Sequence, residues 1–306
     1  MKLAPTNPLS AFRFPLWRAC AAFTLIEVMV VVVLMSVVIL GLTAMFSQTQ
    51  RAFKAGMTQT DVLEAGRMGS EMLSRELEQI IPAYSTLNLG LTNFLTVQEF
   101  EFPQSLPASA PALRTNLISR IFFLTHENQT WTGIGYFLAP DTTVLPINPV
   151  GVLNRFELST SATEFGRRPW LMISNFNRAI VGASYVGNVS KVLDGVVAFN
   201  FRAYDTNGYW INPLGAPTIG QITNNCLWSY YSPMPPFPIR VDYSFLSNAV
   251  PAYVEFELGI LEQGAMDHYR SIPVSNVQSN YLWQQAGRVH LFRQRVSVRN
   301  VDRSAY

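Results

Sequence analysis

Hydrophobic and polar positions change rhythm twice along the chain. From Val28 to Phe46 run 19 residues of which only Ser36 and Thr43 are polar. That is the composition and length of a transmembrane helix, which needs about 20 apolar residues. From Gln48 to Ile80 helix formers dominate, and Val62, Gly66, Gly69, Leu73, Leu77 and Ile80 recur at steps of three and four. Asp61, Glu64, Arg67, Glu71, Arg75 and Glu78 fall on the opposite side, so the period predicts an amphipathic helix. No proline occurs between Phe23 and Ile81, and Pro82 stops the helix because it lacks an N–H and disfavours helical geometry in the residue before it. One continuous helix from Phe23 to Ile81 would hold 59 residues and measure about 88 Å. The alternative is a membrane helix and a separate amphipathic helix with a bend near Gly41 or Gly56. Gly66 and Gly69 each weaken the helix by about 1 kcal/mol relative to alanine. Small residues on a buried stripe let a sheet approach closely, so Gly66, Gly69, Leu73 and Leu77 are the expected helix–sheet packing positions.

After Pro82 the rhythm shortens to two. Val97–Phe102, Arg120–Leu124, Trp131–Leu138, Leu153–Leu158, Val196–Tyr204, Ala252–Leu261 and Val289–Arg299 are rich in Val, Ile, Phe, Tyr and Thr. Phe199 to Tyr204 alternates apolar and polar residues, and Asn207-Gly208 behind it reads as a hairpin turn. A helix first and strands later predict an α+β fold, the long N-terminal helix laid on an antiparallel sheet. The segment from Asn212 to Arg240 breaks the pattern with prolines and rings, among them Pro213, Trp228, Tyr230, Tyr231, Pro236 and Phe237. It reads as a rigid surface loop packed on its own rings, or as a contact surface for a neighbouring subunit or a carbohydrate.

Charge orients the apolar run. Lys2, Arg13 and Arg18 precede it, and beyond Val28 no charge occurs until Arg51, so the positive-inside rule places the N-terminus in the cytoplasm. A secretory signal peptide carries its cleavage site after the apolar stretch. Here the small residues Ala19-Cys20-Ala21-Ala22 stand before it, and a cut there keeps the helix in the mature protein. A lipoprotein site at Cys20 is disfavoured, since Arg18 stands where small or apolar residues are needed and the apolar run follows the cysteine. Glu27 lies at the head of the apolar run. A carboxylate there costs a few kcal/mol, which marks a functional position, unless the side chain simply snorkels to the membrane edge.

Ala22-Phe23-Thr24-Leu25-Ile26-Glu27-Val28 resembles the cleavage and methylation motif of type IV prepilins. The resemblance implies cleavage between Ala22 and Phe23 by the prepilin peptidase, and methylation of the new Phe23 amine. Alanine stands at position 22 where the family usually has glycine. A charged Phe23 amine in apolar surroundings pairs naturally with Glu27 of a neighbouring subunit. Either charge left alone would be costly, so the pair selects one axial stagger. The implied organisation is a leader over 1–22, a transmembrane and polymerisation helix over 23–46, an amphipathic helix over 47–81 and a β-rich domain over 82–306 with the insertion at 212–240.

The body carries a second resemblance. Met72-Leu73-Ser74-Arg75-Glu76-Leu77, Gly135-Tyr136-Phe137-Leu138 with Gly151-Val152-Leu153-Asn154-Arg155, Val192-Leu193-Asp194-Gly195-Val196, and Pro251 to Leu258 look like successive segments of the large minor pseudopilins. The order is similar to minor pseudopilin J of type II secretion and to the W-type minor pilin of type IV pili. It implies a structural subunit, not an enzyme, in the bacterial inner membrane with its globular domain in the periplasm. The implied partners are other pseudopilins or pilins, the prepilin peptidase, the inner-membrane assembly platform and the lipid bilayer, with a separate ATPase driving extension. A type II pseudopilus tip subunit, an adhesive or priming minor pilin, and a non-polymerising membrane-anchored periplasmic protein are the three readings.

Composition narrows the remaining classes. Without the three leader cations, 19 basic residues stand against 20 acidic ones, which gives no electrostatic case for nucleic acid. Cleavage would leave Cys226 as the sole thiol, so no internal disulfide is expected. His126, His268 and His290 share no metal-ligand spacing, and no nucleophile elbow or phosphate loop is present. Asp205-Thr206-Asn207-Gly208 has its glycine at the fourth position of a would-be calcium loop and Ala216 at the twelfth, so a hairpin is expected there. Neither a cofactor nor a metal ligand set is assigned.

Overall fold

The computed structural model describes residues 24–84, 91–105, 113–140, 151–181, 188–211, 225–231 and 240–306. The chain divides into two compact units, Met1–Ala55 and Gly56–Tyr306. Helix α1, Leu25–Leu77, contributes to both, and its helical backbone continues through Gly41 and Gly56.

In the first unit the large apolar side chains from Leu25 to Phe46 are exposed. The few hydroxyls along this stretch bond inside the helix. Ser36 and Thr43 donate to the carbonyls of Val32 and Ile39, each at 2.8 Å, so they ask nothing of their surroundings. Among the described residues α1 is the one helix long and apolar enough to cross a membrane.

The second unit is built on a nine-stranded sheet. Its strands are β1 Thr92–Ser105, β2 Leu113–Glu127, β3 Thr130–Pro140, β4 Gly151–Ser161, β5 Val189–Tyr204, β6 Cys226–Tyr231, β7 Arg240–Leu246, β8 Tyr253–Leu261 and β9 Val289–Ser297. They lie in the order β6-β7-β1-β2-β3-β4-β5-β8-β9. Neighbours pair antiparallel, and one parallel bridge joins Ile118 of β2 to Phe199 of β5. All seven expected strands fall on observed ones. Four short helices were not expected: α2 Ala162–Arg167, α3 Leu171–Ile180, α4 Gln263–Ser271 and α5 Ser275–Gln284.

Strand β2 shows how the core is arranged. Ile121 and Phe123 join the main core with Leu73, Leu77 and Ile80, while Phe122 and Leu124 join a second core with Phe137, Phe156 and Phe176. A strand buried on both faces carries no polar alternation, which is why Ile121-Phe122-Phe123-Leu124 reads as a solid apolar run. Helix α3 closes the second core. Phe176 lies so close to β3 that a Cβ on Gly135 would sit 2.3 Å from its ring, so glycine is what admits it. A third, smaller core gathers Val197 and Leu261 under Met266 and Tyr269 of α4 and Leu282 of α5.

Three expectations need correction. The helix ends at Leu77 instead of Ile81, because pairing with the sheet wins over further helix: Ile80 forms a bridge with Thr125, and the Ile81 N–H donates to the Leu124 carbonyl at 3.0 Å. The Pro/aromatic insertion is not all loop, since Cys226–Tyr231 forms β6 and pairs with β7 from Arg240 onward. Residues 212–224 and 232–239 lie outside the described residues, as do Ala22 and Phe23. Finally, β5 begins at Val189, ahead of the expected Val196, its first half pairing with β4 and its second with β8.

Candidate functional site: the helix head and the helix–sheet junction

The head of α1 is organised locally. The Thr24 hydroxyl accepts from the Glu27 N–H at 3.4 Å, and the Thr24 carbonyl accepts from Glu27 and Val28. Thr24 thus serves as an N-terminal cap. Glu27 occupies the first turn, where a carboxylate also complements the helix dipole, and it is exposed. Its carboxylate is therefore open to a group from outside the subunit.

Thirty-odd residues further on, α1 docks on the sheet. Val62, Gly66, Leu73 and Leu77 are buried, together with Ser70 and Ser74, whose hydroxyls donate to the Gly66 and Ser70 carbonyls at 2.8 Å. Asp61, Glu64, Arg67, Glu71 and Arg75 are exposed, as the period requires, whereas Glu78, expected with them, is half-buried because it lies past the helix end and pairs with Arg299. The two glycines differ. A Cβ on Gly66 would lie 2.1 Å from the Phe292 ring of β9, whereas one on Gly69 would meet Leu258 and Leu193 at ordinary contact distances of 3.6 and 3.7 Å. Gly69→Ala should therefore leave stability unchanged or raise it by up to about 1 kcal/mol through helix propensity alone. Gly66→Ala should lose that gain, because the Phe292 ring must move, a kind of overpacking that costs about 1–3 kcal/mol. Urea unfolding of the two variants side by side checks the order; equal effects would refute it.

An ion cluster fastens the end of the helix. Glu76 accepts from the Tyr136 hydroxyl of β3 at 2.5 Å and from Nε and Nη2 of Arg155 on β4, both at 2.9 Å. Arg155 also bonds Glu157 through Nη1. The side chains of Glu76 and Arg155 are only 13% and 18% exposed. Burial, then the Glu76 charge, push the Tyr136 hydroxyl well above its ordinary range, so it stays protonated as the donor. For Arg155 burial opposes the charge, but Glu157 and Glu76 outweigh it and its pKa rises. The C-terminal segment closes over the same end: Arg299 pairs with Glu78, and Asn300 donates to the Ile80 carbonyl at 3.2 Å.

Glu76, Tyr136 and Arg155 were not singled out as interacting residues, although all three lie in the segments that resemble minor pseudopilins. One signal was present. At 100° per residue Glu76 falls about 60° from Leu73, on the apolar side of the helix. A charge there needs a partner.

The other candidates are locally satisfied. His126 packs on Trp131 at 4.5 Å, His268 on Tyr281 at 4.8 Å, and His290 lies 3.3 Å from Glu262. Among the described residues no cluster of three His, Cys, Asp or Glu side chains could hold a metal. Asp205 makes the hairpin, its carboxylate accepting from the Asn207 and Tyr209 N–H groups at 2.9 and 2.8 Å, with Gly208 at φ 83° and Trp210 bridging back to Tyr204. Asp194 holds α4 to β5 through Arg270 at 2.6 Å. Cys226 is buried as a free thiol, and burial pushes it up to about 12.

Comparison with known proteins gives one match: residues 17–43 fit the prokaryotic N-terminal methylation motif. No curated protein and no solved structure matches the chain. An N-terminal methylation motif heading a long apolar helix, followed by an antiparallel sheet domain, supports a pilin-like protein. The motif carries with it processing by a prepilin peptidase and assembly with other pilin-like subunits.

Proposed function

We propose that this chain is a minor pseudopilin of a type II secretion pseudopilus, a scarce subunit of the tip or initiation complex with no catalytic role. The methylation-motif match over residues 17–43 carries the reading. The apolar stretch of α1 exposes its side chains and satisfies its own hydroxyls, as a helix that passes from bilayer to filament must. Basic residues ahead of it favour a cytoplasmic N-terminus and a periplasmic sheet domain in the inner membrane. Cleavage after Ala22 frees the Phe23 amine, which is methylated and pairs with Glu27 of a neighbour during docking on the assembly platform. The order of the Glu76, Tyr136–Arg155 and Asp194 segments favours the large minor pseudopilins over a major subunit. A minor pilin of a type IV pilus shares every one of these features and is the second reading.

The test is N-terminal mass spectrometry of the protein extracted from membranes. The expected result is a chain beginning at N-methylated Phe23. An intact residue 1–22 segment, or a start elsewhere, would overturn the proposal and favour a non-polymerising anchored protein.

A further inference from the structure

We propose that the outer edge of β9 accepts an extended acidic segment of another chain as a tenth strand. Strand β9 ends the sheet order, and among the described residues it pairs with β8 alone. The pairing runs through nine residues without a register shift, from Tyr253–Ser297 to Leu261–Val289. Two bonds just beyond it fix its phase. The Val298 N–H donates to the Ala252 carbonyl at 3.0 Å, and the Arg288 carbonyl accepts from the Glu262 N–H at 3.1 Å. Even-numbered residues therefore bond to β8. Val289, Leu291, Arg293, Arg295 and Ser297 turn their N–H and C=O groups outward. An edge with no bulge and no proline is a template for another strand.

Side chains select the occupant. From Arg288 to Arg299 the sequence has four arginines and no acidic residue. The face that carries Arg293 and Arg295 also holds Arg114, Arg202, Glu255 and Glu257, four guanidinium groups against two carboxylates. A second copy paired antiparallel would set this basic strand against itself, which disfavours self-association. An antiparallel segment with acidic residues at two alternate positions and an apolar residue two further on would face Arg295, Arg293 and Leu291 in turn. Leu291 is 46% exposed beside this edge. Arg295 is already held: its guanidinium lies 3.7 Å from the Tyr204 ring centre and donates to the Gly208 carbonyl at 2.7 Å. A fixed cation loses little freedom when an anion arrives.

The site uses no residue of the N-terminal motif, so its failure leaves the filament reading standing. The test uses the full chain in detergent and a labelled, end-blocked peptide Thr-Glu-Thr-Glu-Thr-Val-Thr, with a lysine-for-glutamate analogue beside it. Anisotropy should show binding at least about tenfold tighter for the glutamate peptide. Amide hydrogen exchange should slow at 291, 293 and 295 while the even positions, already bonded, stay unchanged. Leu291→Pro removes an outward N–H that the sheet does not use; it should keep the even positions protected and abolish peptide binding. Equal binding of both peptides, protection elsewhere, or undiminished binding to a folded Leu291→Pro protein would each overturn the proposal. Concentration-dependent protection of the odd amides without peptide would show a second copy at the edge and overturn the acidic occupant.

Discussion

Arg155→Ala should destabilise the sheet unit by about 3 kcal/mol, the range expected when one partner of a mostly buried ion pair is removed. The loss goes beyond a missing contact. Glu76 would be left at a site 13% exposed without its guanidinium partner, with the Tyr136 hydroxyl as the neighbour left from the present cluster. Glu76→Ala should cost less, because Arg155 retains Glu157 on its more exposed side. A double variant, Glu76→Leu with Arg155→Met, should lose less than the two single losses added together, since no buried charge remains unpaired. Glu157→Gln is the control: its side chain is 48% exposed, and the change should stay within about 0.5 kcal/mol. Urea unfolding of the full chain in detergent, followed by near-UV circular dichroism, reads all four. If Arg155→Ala unfolds at the wild-type midpoint, the cluster is not what ties the helix end to the sheet.

That cluster shows where sequence reading stops. The stripe from Val62 to Leu77 was legible because a 3.6-residue period in one sequence window reports one helix face. Several of the expected strands were legible for the same reason at period two, and Ile121–Leu124 as a short, solid apolar run buried on both faces. The partnership of Glu76 with Arg155 joins residues 79 positions apart, and no local period encodes it. The early end of α1 has the same cause, since Ile80 and Ile81 trade helical bonds for bonds to Thr125 and Leu124. Helices α2 to α5 have between six and ten residues each, too few turns for a period to stand out. Strand β6 hid inside a stretch of prolines and rings that reads as a turn-rich insertion. The opposite holds at the head of α1. Ala22, Phe23 and Glu27 stand within one short motif, inside the matched residues 17–43, so their proposed roles come from sequence alone, and the group that Glu27 is proposed to meet would belong to another subunit.

Glu27→Ala should insert into the membrane as well as the wild type and fail to join the filament. Insertion cannot suffer, because the substitution removes a charge from the head of an apolar helix, where its presence costs a few kcal/mol. The helix start should also survive. Its cap uses the backbone N–H of residue 27 on the Thr24 hydroxyl, which alanine supplies equally well. What disappears is the carboxylate proposed to pair with the Phe23 amine of the neighbour. An amine left unpaired in apolar surroundings costs about 3 kcal/mol or more, which lowers incorporation about a hundredfold or further. Glu27→Gln should fail nearly as badly, since it keeps the shape and a hydrogen-bond acceptor but not the charge. Glu27→Asp should fall between, its carboxylate intact but one methylene short of the same stagger. Carbonate extraction measures insertion, and the subunit content of sheared filaments measures assembly. A stabilising role alone predicts loss of both together. Normal incorporation of Glu27→Ala would remove the charge pair as the device that sets subunit registry.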